Sequence, residues 1–309
     1  MKEAVALVVI FNNHYPGNIQ KLESIYGDRF SNIIYLLPFA EESNGNVVTV
    51  FGHSYYFQGY ISQFLHDQRA NHFDYFIFIA DDLLLNPKIN QHNFCEWFGV
   101  DPSTAFIPSL INVHEHRGWW RRAREAALWE TTTDYLDIGP YIPSASEAES
   151  RIRSHGMSVG AFRYWQITPY PPNLKSFLRY VMKQPSELLN VLSSVHKTYR
   201  MNYPLIGGYS DMLILPYRYH REFRKLTGAF ATGRLFVELA LPTALALTVD
   251  KIVTEKSLDR SGLVLWDKCR VNGLHIEHHG SVDTLLQKFS DRHLYIHPIK
   301  LSEWVARNE

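Results

Sequence analysis

The 309-residue chain predicts an α/β fold in which a mostly parallel sheet is flanked by helices and interrupted by a loop-rich insertion. Three observations lead there. Residues 4–11 and 75–80 are continuous apolar runs, with the length and composition of strands buried on both faces. Around them, β-branched runs alternate with segments of helical spacing, the order that yields a parallel sheet covered by helices. The run at 75–80 also ends directly on two carboxylates, Asp81 and Asp82, with Pro87 five residues further on. In open α/β sheets, ligands gather outside the carboxyl ends of such strands.

Each element follows in order. The first strand ends on Asn12-Asn13-His14-Tyr15-Pro16-Gly17, a strong turn signal. A helix over 18–26 follows, with Gly27 as its stop. Residues 33–37 and 47–51 are β-branched runs that read as further strands. Over 57–70, Tyr60, Ile61, Phe64 and Leu65 mark one face of a helix. From 101 to 203 the alternation gives way to Pro108, Pro140, Pro143, Pro169, Pro171, Pro172 and Pro185, with polar clusters such as 144–150. That span reads as a variable insertion with short helices, lining one side of the site, inside a single domain of residues 1–309.

Within it, residues 117–129 mix Arg with Trp, which suits an anionic acceptor or a membrane face. An amphipathic surface helix with Arg stems laid over apolar surface is the commoner source of that pattern. Regularity returns at 211–216, a strand preceded by Gly207-Gly208-Tyr209-Ser210. Helices over 217–231, broken near Gly228, and over 235–249, bent at Pro242, come next, and 262–266 is a late strand.

Composition narrows the function. At 46% hydrophobic and 20% charged, the chain is ordinary globular protein. With 31 basic and 31 acidic side chains, it does not suit a nucleic-acid partner gripped by bulk charge. Two cysteines, Cys95 and Cys269, make neither a disulfide framework nor a zinc cluster, which points to a reducing compartment. The first ten residues carry an acid and lack a small-residue cleavage site, so they read as a strand rather than a signal peptide. The longest apolar stretch, 235–249, contains Glu238 and Pro242 and is too short to span a bilayer. The expectation is a cytoplasmic protein, with attachment to the inner face of the membrane left open. The 18 Tyr and 7 Trp suit a carbohydrate or nucleotide site, though a large core also consumes aromatics.

Two adjacent carboxylates at a strand end are costly to desolvate unless something positive meets them. A hard divalent cation carrying a substrate's phosphates is a natural partner. The plain alternative is one Asp capping a turn while the other faces water. Glu238 stands in an apolar segment, where an ionised side chain needs a partner or a task. Burial would raise its pKa and make it a better base. A helix pair with Arg234, four residues earlier, is the structural alternative, and for Asp211 it is a turn residue before a strand. Gly-x-Gly-x-x-Gly, Gly-x-Ser-x-Gly and Walker A patterns are absent, which leaves a nicotinamide or flavin site, a serine hydrolase and a P-loop NTPase unsupported.

Taken together, Phe76-Ile77-Phe78-Ile79-Ala80-Asp81-Asp82, Gly207-Gly208-Tyr209-Ser210-Asp211, Glu238, and His297-Pro298-Ile299-Lys300 with Trp304 resemble the nucleotide-sugar-dependent glycosyltransferases of the GT-A fold, in particular bacterial enzymes that build surface polysaccharides. The resemblance covers most of the chain in element order and its two ends in motif, and implies a Rossmann-like sheet. The acid motif departs from the family's Asp-x-Asp, because Ala80 stands where a third acid often sits and the two acids are adjacent.

The resemblance implies that Asp82 binds a divalent metal, Mn²⁺ or Mg²⁺, on the donor diphosphate, and that Asp81 meets the sugar side of the nucleotide. His297 would complete the metal site, with His278 and His279 as competitors, and Lys300 would meet the diphosphate. Imidazole is an acceptable ligand for Mn²⁺, and Lys is a point charge on phosphate. Phe11, Asn12 and Asn13 fall where base and ribose bind in this fold, and Asn can read a uracil edge. Glu238 is the expected catalytic base of an inverting enzyme, and Asp211 is the alternative base or a contact to the donor sugar.

The function expected is metal-assisted transfer of a sugar from a nucleotide-sugar, a UDP-sugar for preference, to a glycan or lipid-linked acceptor. A nucleotidyltransferase or sugar pyrophosphorylase ranks lower, because residues 12–20 hold one Gly and no Lys or Arg. A non-catalytic carbohydrate-binding scaffold of the same fold is the third reading.

Overall fold

The computed structural model describes residues 4–41, 45–116, 118–133, 136–168 and 196–305, together with Leu178, Arg179 and Met182. Four early strands build a parallel half-sheet: β1 (Val5–Ile10), β2 (Ile33–Pro38), β3 (Val47–Val50) and β4 (Tyr75–Ala80). They lie in the order β3-β2-β1-β4 with every pairing parallel. The sheet continues past β4 through the antiparallel strand β9 (Met212–Pro216), then β6 (Thr104–Phe106) and β10 (Lys251–Val253), to seven strands. The expected mixed α/β sheet, mostly parallel and flanked by helices, is therefore the observed one.

Burial explains why these segments are strands. All six residues of β1, β2 and β4 are buried, and the period-2 alternation sorts them into two cores. Ala6, Val8, Ile10, Phe76 and Phe78 point to one face, and Val5, Leu7, Val9, Tyr75, Ile77 and Ile79 to the other. The first face is covered by α2 (Gln58–His66), α4 (Trp120–Leu128), α5 (Ala145–Ser154), α6 (His220–Thr232) and α7 (Val237–Thr248). Against the second lie α1 (Gly17–Tyr26), α3 (Phe94–Phe98) and α9 (Val282–Gln287). Helix α1 stops at Gly27, whose N–H bonds to the Glu23 carbonyl at 2.8 Å.

A second sheet joins the chain's far end to the acid-bearing strand. It pairs β11 (Ser261–Val264), β12 (His293–His297) and β5 (Leu84–Leu85), with Ile296 opposite Leu84 in antiparallel register. Helix α8 (Lys268–Glu277) intervenes between β11 and β12. The 101–203 span supplies β6, α4, α5 and the ribbon of β7 (Phe162–Arg163) with β8 (Thr198–Tyr199). Arg117, Pro169, Pro171, Pro172 and Pro185 lie outside the described residues.

Two local expectations are corrected. The helix expected to break at Gly228 runs unbroken to Thr232. A Cβ at Gly228 would come within 2.7 Å of Ser62 Oγ, so this glycine serves the close approach of α2 and α6 rather than a helix end. The helix expected over 57–70 ends at His66, and a 3-10 turn at Gln68–His72, capped by Asp67, takes over. No helix among the described residues is long and apolar enough to cross a membrane.

Candidate active site

The carboxyl end of β4 collects side chains from four distant parts of the chain. Parallel pairing with β1 sets Asp81 beside the first turn, and the Asp81 N–H donates to the Ile10 carbonyl at 3.0 Å. The Asn12 main-chain N–H approaches Asp81 Oδ1 at 3.5 Å. Antiparallel pairing with β9 brings in Asp211, whose carbonyl accepts from the Ala80 N–H at 2.9 Å.

The β5–β12 register delivers His297 to Asp82. Nε2 of His297 lies 3.1 Å from Asp82 Oδ1, and the Ile299 N–H donates to the Asp82 carbonyl at 2.6 Å. Tyr26 pins the turn between β4 and β5, donating to the Leu83 carbonyl and accepting from the Leu85 N–H, each at 3.1 Å. His278 and His279 sit instead at the end of α8, so the imidazole that meets Asp82 is His297.

The other ring nitrogen of His297 is 2.6 Å from the Tyr209 hydroxyl. The sequence around Tyr209 suggests no role for it, because nothing local reveals its partner. It stacks parallel to Tyr295, with ring centroids 6.1 Å apart. The preceding glycines are dictated by space. A Cβ at Gly208 would lie 2.1 Å from the Ser109 carbonyl oxygen, so only glycine lets the 207–211 loop pass under that backbone. The Gly208 N–H then bonds to the Glu238 carbonyl at 3.0 Å, tying the loop to the start of α7.

Glu238 occupies the first turn of α7, where the helix dipole favours a carboxylate. Its partner is not Arg234. That residue precedes the helix with a left-handed backbone (φ 52°), so the i,i+4 spacing does not lie along one helix face. Arg122 of α4 takes its place, with Nε 3.4 Å from Glu238 Oε2. Arg122 also bonds Glu125 at 3.1 Å and the Tyr55 hydroxyl at 2.9 Å, and its guanidinium lies over the Phe236 ring. Glu125 in turn accepts from the Phe236 N–H at 2.7 Å, at the mouth of α7. On the α4 side the Arg-rich stretch at 117–129 is the sequence signal for this cluster, and it does not say which Arg turns inward.

The site is acidic, and burial among like charges shifts its acids upward. Burial, then the charge of Asp82, pushes Asp81 up to about 7. Burial raises Glu238 to about 7 against the opposing pull of Arg122, with Asp211 adding to the rise. Asp211 is also raised, chiefly by burial. For His297, burial opposes protonation, but the hydrogen bond to Asp82 and the charges of Asp211, Asp82 and Asp81 outweigh it and hold the pKa above the ordinary value.

The remaining expected residues stand apart from these acids. Phe11 is wholly buried, edge-on to Tyr35 at 6.2 Å, so its ring belongs to the core rather than to a ligand surface. Asn13 is exposed on the turn after β1. Lys300 is exposed and points to Glu303, 3.7 Å away. Among the described residues, no group of three or more His, Cys, Asp or Glu side chains is arranged to hold a metal ion. The pair Asp82 and His297 is nonetheless spaced for one, since adjacent ligands on a six-coordinate ion with bonds of about 2.1 Å lie about 3 Å apart. A two-residue set suits a hard cation that keeps waters and takes phosphate oxygens from its substrate.

A separate groove of about 750 Å³ lies between α2, α6 and the 136–151 segment. Both of its acids are paired with bases, Glu147 with Arg151 at 2.8 Å and Glu222 with Lys225 at 3.0 Å, and Arg224 donates to the Leu65 carbonyl at 3.3 Å, so the acids at β4 remain the better candidate.

No protein-family model matches the chain, and no curated protein matches it. Among solved structures it is similar to the mannosyltransferase Ktr4p from S. cerevisiae, at 14% identity and a TM-score of 0.39, covering 80% of this chain and 66% of that one. The same enzyme in complex with GDP matches at 13% identity and a TM-score of 0.37, covering 80% and 67%. Core-mannan synthase A (CmsA/Ktr4) from Aspergillus fumigatus, in its Mn/GDP form, matches at 10% identity and a TM-score of 0.33, covering 80% and 70%. The chain thus spans about two thirds of the length of these proteins. At TM-scores this low, none of the likenesses bears on what the acids at β4 do.

Proposed function

We propose that the chain is a GT-A-type glycosyltransferase that moves a sugar from a nucleotide-sugar, a UDP-sugar for preference, to a glycan or lipid-linked acceptor. The observation that carries this reading is the meeting of Asp82 and His297 at 3.1 Å, at the carboxyl end of a buried parallel strand, with Asp81 turned toward Asn12. Asp82 and His297 would hold a divalent cation, Mn²⁺ or Mg²⁺, which when bound supplies charge neutralisation to the departing diphosphate. Asp81 and the Asn12 main chain face the side where base and ribose would lie. Lys300 reaches the diphosphate in this reading only by leaving Glu303, an exchange open to an exposed side chain.

Glu238 serves as the base. With a pKa near 7, it is ionised often enough to accept a proton and basic enough to take it. The acceptor oxygen bonds to the anomeric carbon, the bond from that carbon to the diphosphate oxygen breaks, and the acceptor proton passes to the Glu238 carboxylate. Arg122 holds that carboxylate in place and keeps its pKa from climbing further. Asp211 is the second acid within reach of the reaction and is the alternative base.

Calorimetric titration with UDP, with and without Mn²⁺, tests the reading, with GDP as a comparison arm. Mn²⁺-dependent nucleotide binding is expected, tighter for UDP. The specific observation favouring a non-catalytic scaffold is that Lys300 pairs with Glu303, and a scaffold binds neither nucleotide whether or not metal is present.

A further inference from the structure

The transferase reading leaves unused an exposed aromatic ring that stands against His297 and Tyr209. Trp266 is 70% exposed, more than any other tryptophan among the described residues. It is not a loose surface side chain. Its neighbour Leu265 is buried, and the Leu265 N–H donates to the His297 carbonyl at 2.8 Å. On the other side, Asp267 caps α8 by accepting from the Cys269 N–H at 2.8 Å. A backbone bond on one flank and a side-chain cap on the other therefore present the indole. The ring stands edge-on to His297, with centroids 6.2 Å apart, and edge-on to Tyr209 at 6.0 Å.

A face of bare indole against His297 and Tyr209, whose own partners are the carboxylates of Asp82 and Asp211, selects its ligand by chemistry. Without a bridging cation, an anion is repelled by those carboxylates. A hydrocarbon would desolvate those acids with nothing in return. A pyranose satisfies both surfaces: its apolar C–H face covers the indole, and its hydroxyls donate to carboxylate oxygens. We propose that Trp266 is a stacking platform for a pyranose ring at the mouth of the acid cluster. The proposal deepens the transferase reading and rests on it for the source of the ring, which is either the donor sugar or the acceptor glycan.

The test uses wild type, Trp266→Ala and Trp266→Phe in ligand-observed NMR titrations. The probes are the methyl glycosides of mannose, glucose, galactose and N-acetylglucosamine, UDP with Mn²⁺, a set of UDP-sugars, and choline as a cationic control. Wild type is expected to bind at least one glycoside or UDP-sugar more tightly than the Ala variant, by roughly five- to tenfold. The Phe variant, which keeps a ring, should stay within about threefold of wild type. UDP with Mn²⁺ should bind all three proteins alike. A loss confined to UDP-sugars assigns the ring to the donor, and a loss of glycosides with UDP already bound assigns it to the acceptor. Equal sugar binding by wild type and Ala variant, no sugar binding by wild type, or choline preferred with the same Trp266 dependence each overturns the platform. Mn²⁺-dependent UDP binding without Trp266-dependent sugar binding ends this inference and leaves the transferase reading standing. Trp266-dependent sugar binding without nucleotide binding does the reverse.

Discussion

His297 Nε2 stands 3.1 Å from Asp82 Oδ1 across a separation of 215 residues. The contact follows from the antiparallel register that sets Ile296 opposite Leu84, and from the Ile299 N–H closing on the Asp82 carbonyl. A ligand that bridges these two side chains therefore depends on the second sheet as much as on the first.

Asp82→Asn keeps the shape of the side chain and removes its charge. Mn²⁺-dependent UDP binding should weaken at least about tenfold, or roughly 1.4 kcal/mol, with His297→Gln causing a comparable loss. The double variant should lose less than the sum of the singles, because both act on one bound ion. Calorimetry on folded variants checks this, and unchanged affinity in Asp82→Asn would remove Asp82 from the metal role.

The parts of this site that could be read in the sequence are those fixed by local pattern. The runs behind β1 and β4 are buried on both faces, so they appear as unbroken apolar stretches that end where Asn12 and Asp81 begin. Glu238 stands out because it interrupts an apolar helix. What stays hidden depends on pairings between remote elements. No pattern around Arg122 announces that it meets Glu238, 116 positions away by their numbers, and none around Tyr209 announces His297. Gly228 misleads for the same reason: a helix-interior glycine and a helix-breaking one look alike until the neighbouring Ser62 is placed.

Gly208→Ala tests how the acids are held. The added Cβ would lie 2.1 Å from the Ser109 carbonyl, a backbone atom that cannot swing aside. Overpacking of this kind costs about 1–3 kcal/mol. The 207–211 loop should shift, carrying Tyr209 away from His297. A lowered midpoint in urea with an unchanged m-value is the expected result, and wild-type stability would contradict so close an approach of the loop to the Ser109 backbone.

Buried acids also set a pH dependence of stability. The folded pKa of Glu238, about 7, exceeds its unfolded value of about 4.5, so between those values the unfolded chain releases a proton that the folded chain keeps. Its contribution is complete below pH 4.5 and is lost as pH rises through 7, a swing of roughly 3 kcal/mol at most. Asp81, also near 7, adds to the same slope. In metal-free buffer, melting temperature should fall between about pH 5 and pH 8. Glu238→Gln should flatten part of that fall, and a wild-type profile rising over this range would refute the burial of these charges.

Arg122 opposes the rise in the pKa of Glu238 that burial imposes. Arg122→Met keeps an apolar stem over Phe236 and removes the charge, so the Glu238 pKa should climb by roughly one unit. A base must be deprotonated to act, so the acid limb of the turnover profile should move to higher pH by about the same amount. Turnover would fall most at neutral pH and recover in alkaline buffer. A uniform loss at every pH would mean that Arg122 acts through the fold alone.

Binding and chemistry separate at the two candidate bases. A base works mainly in the transition state, so Glu238→Gln should cut turnover by roughly 10²–10⁴-fold with donor affinity nearly intact. Gln keeps the length of Glu and can still meet Arg122, which retains Glu125 as a second partner. Asp211→Asn is the control. Asp211 lies beside Tyr209 and raises the pKa of Glu238 through its charge, so the Asn variant should lower the Glu238 pKa and leave a measurable rate. Loss of turnover in Asp211→Asn with activity preserved in Glu238→Gln moves the base to Asp211. If both variants keep near-wild-type turnover, a protein base loses its support, and a retaining transfer that uses the donor's own phosphate as base becomes the better account. Single-turnover rates for both variants, measured across pH with the donor at saturation, distinguish the three outcomes.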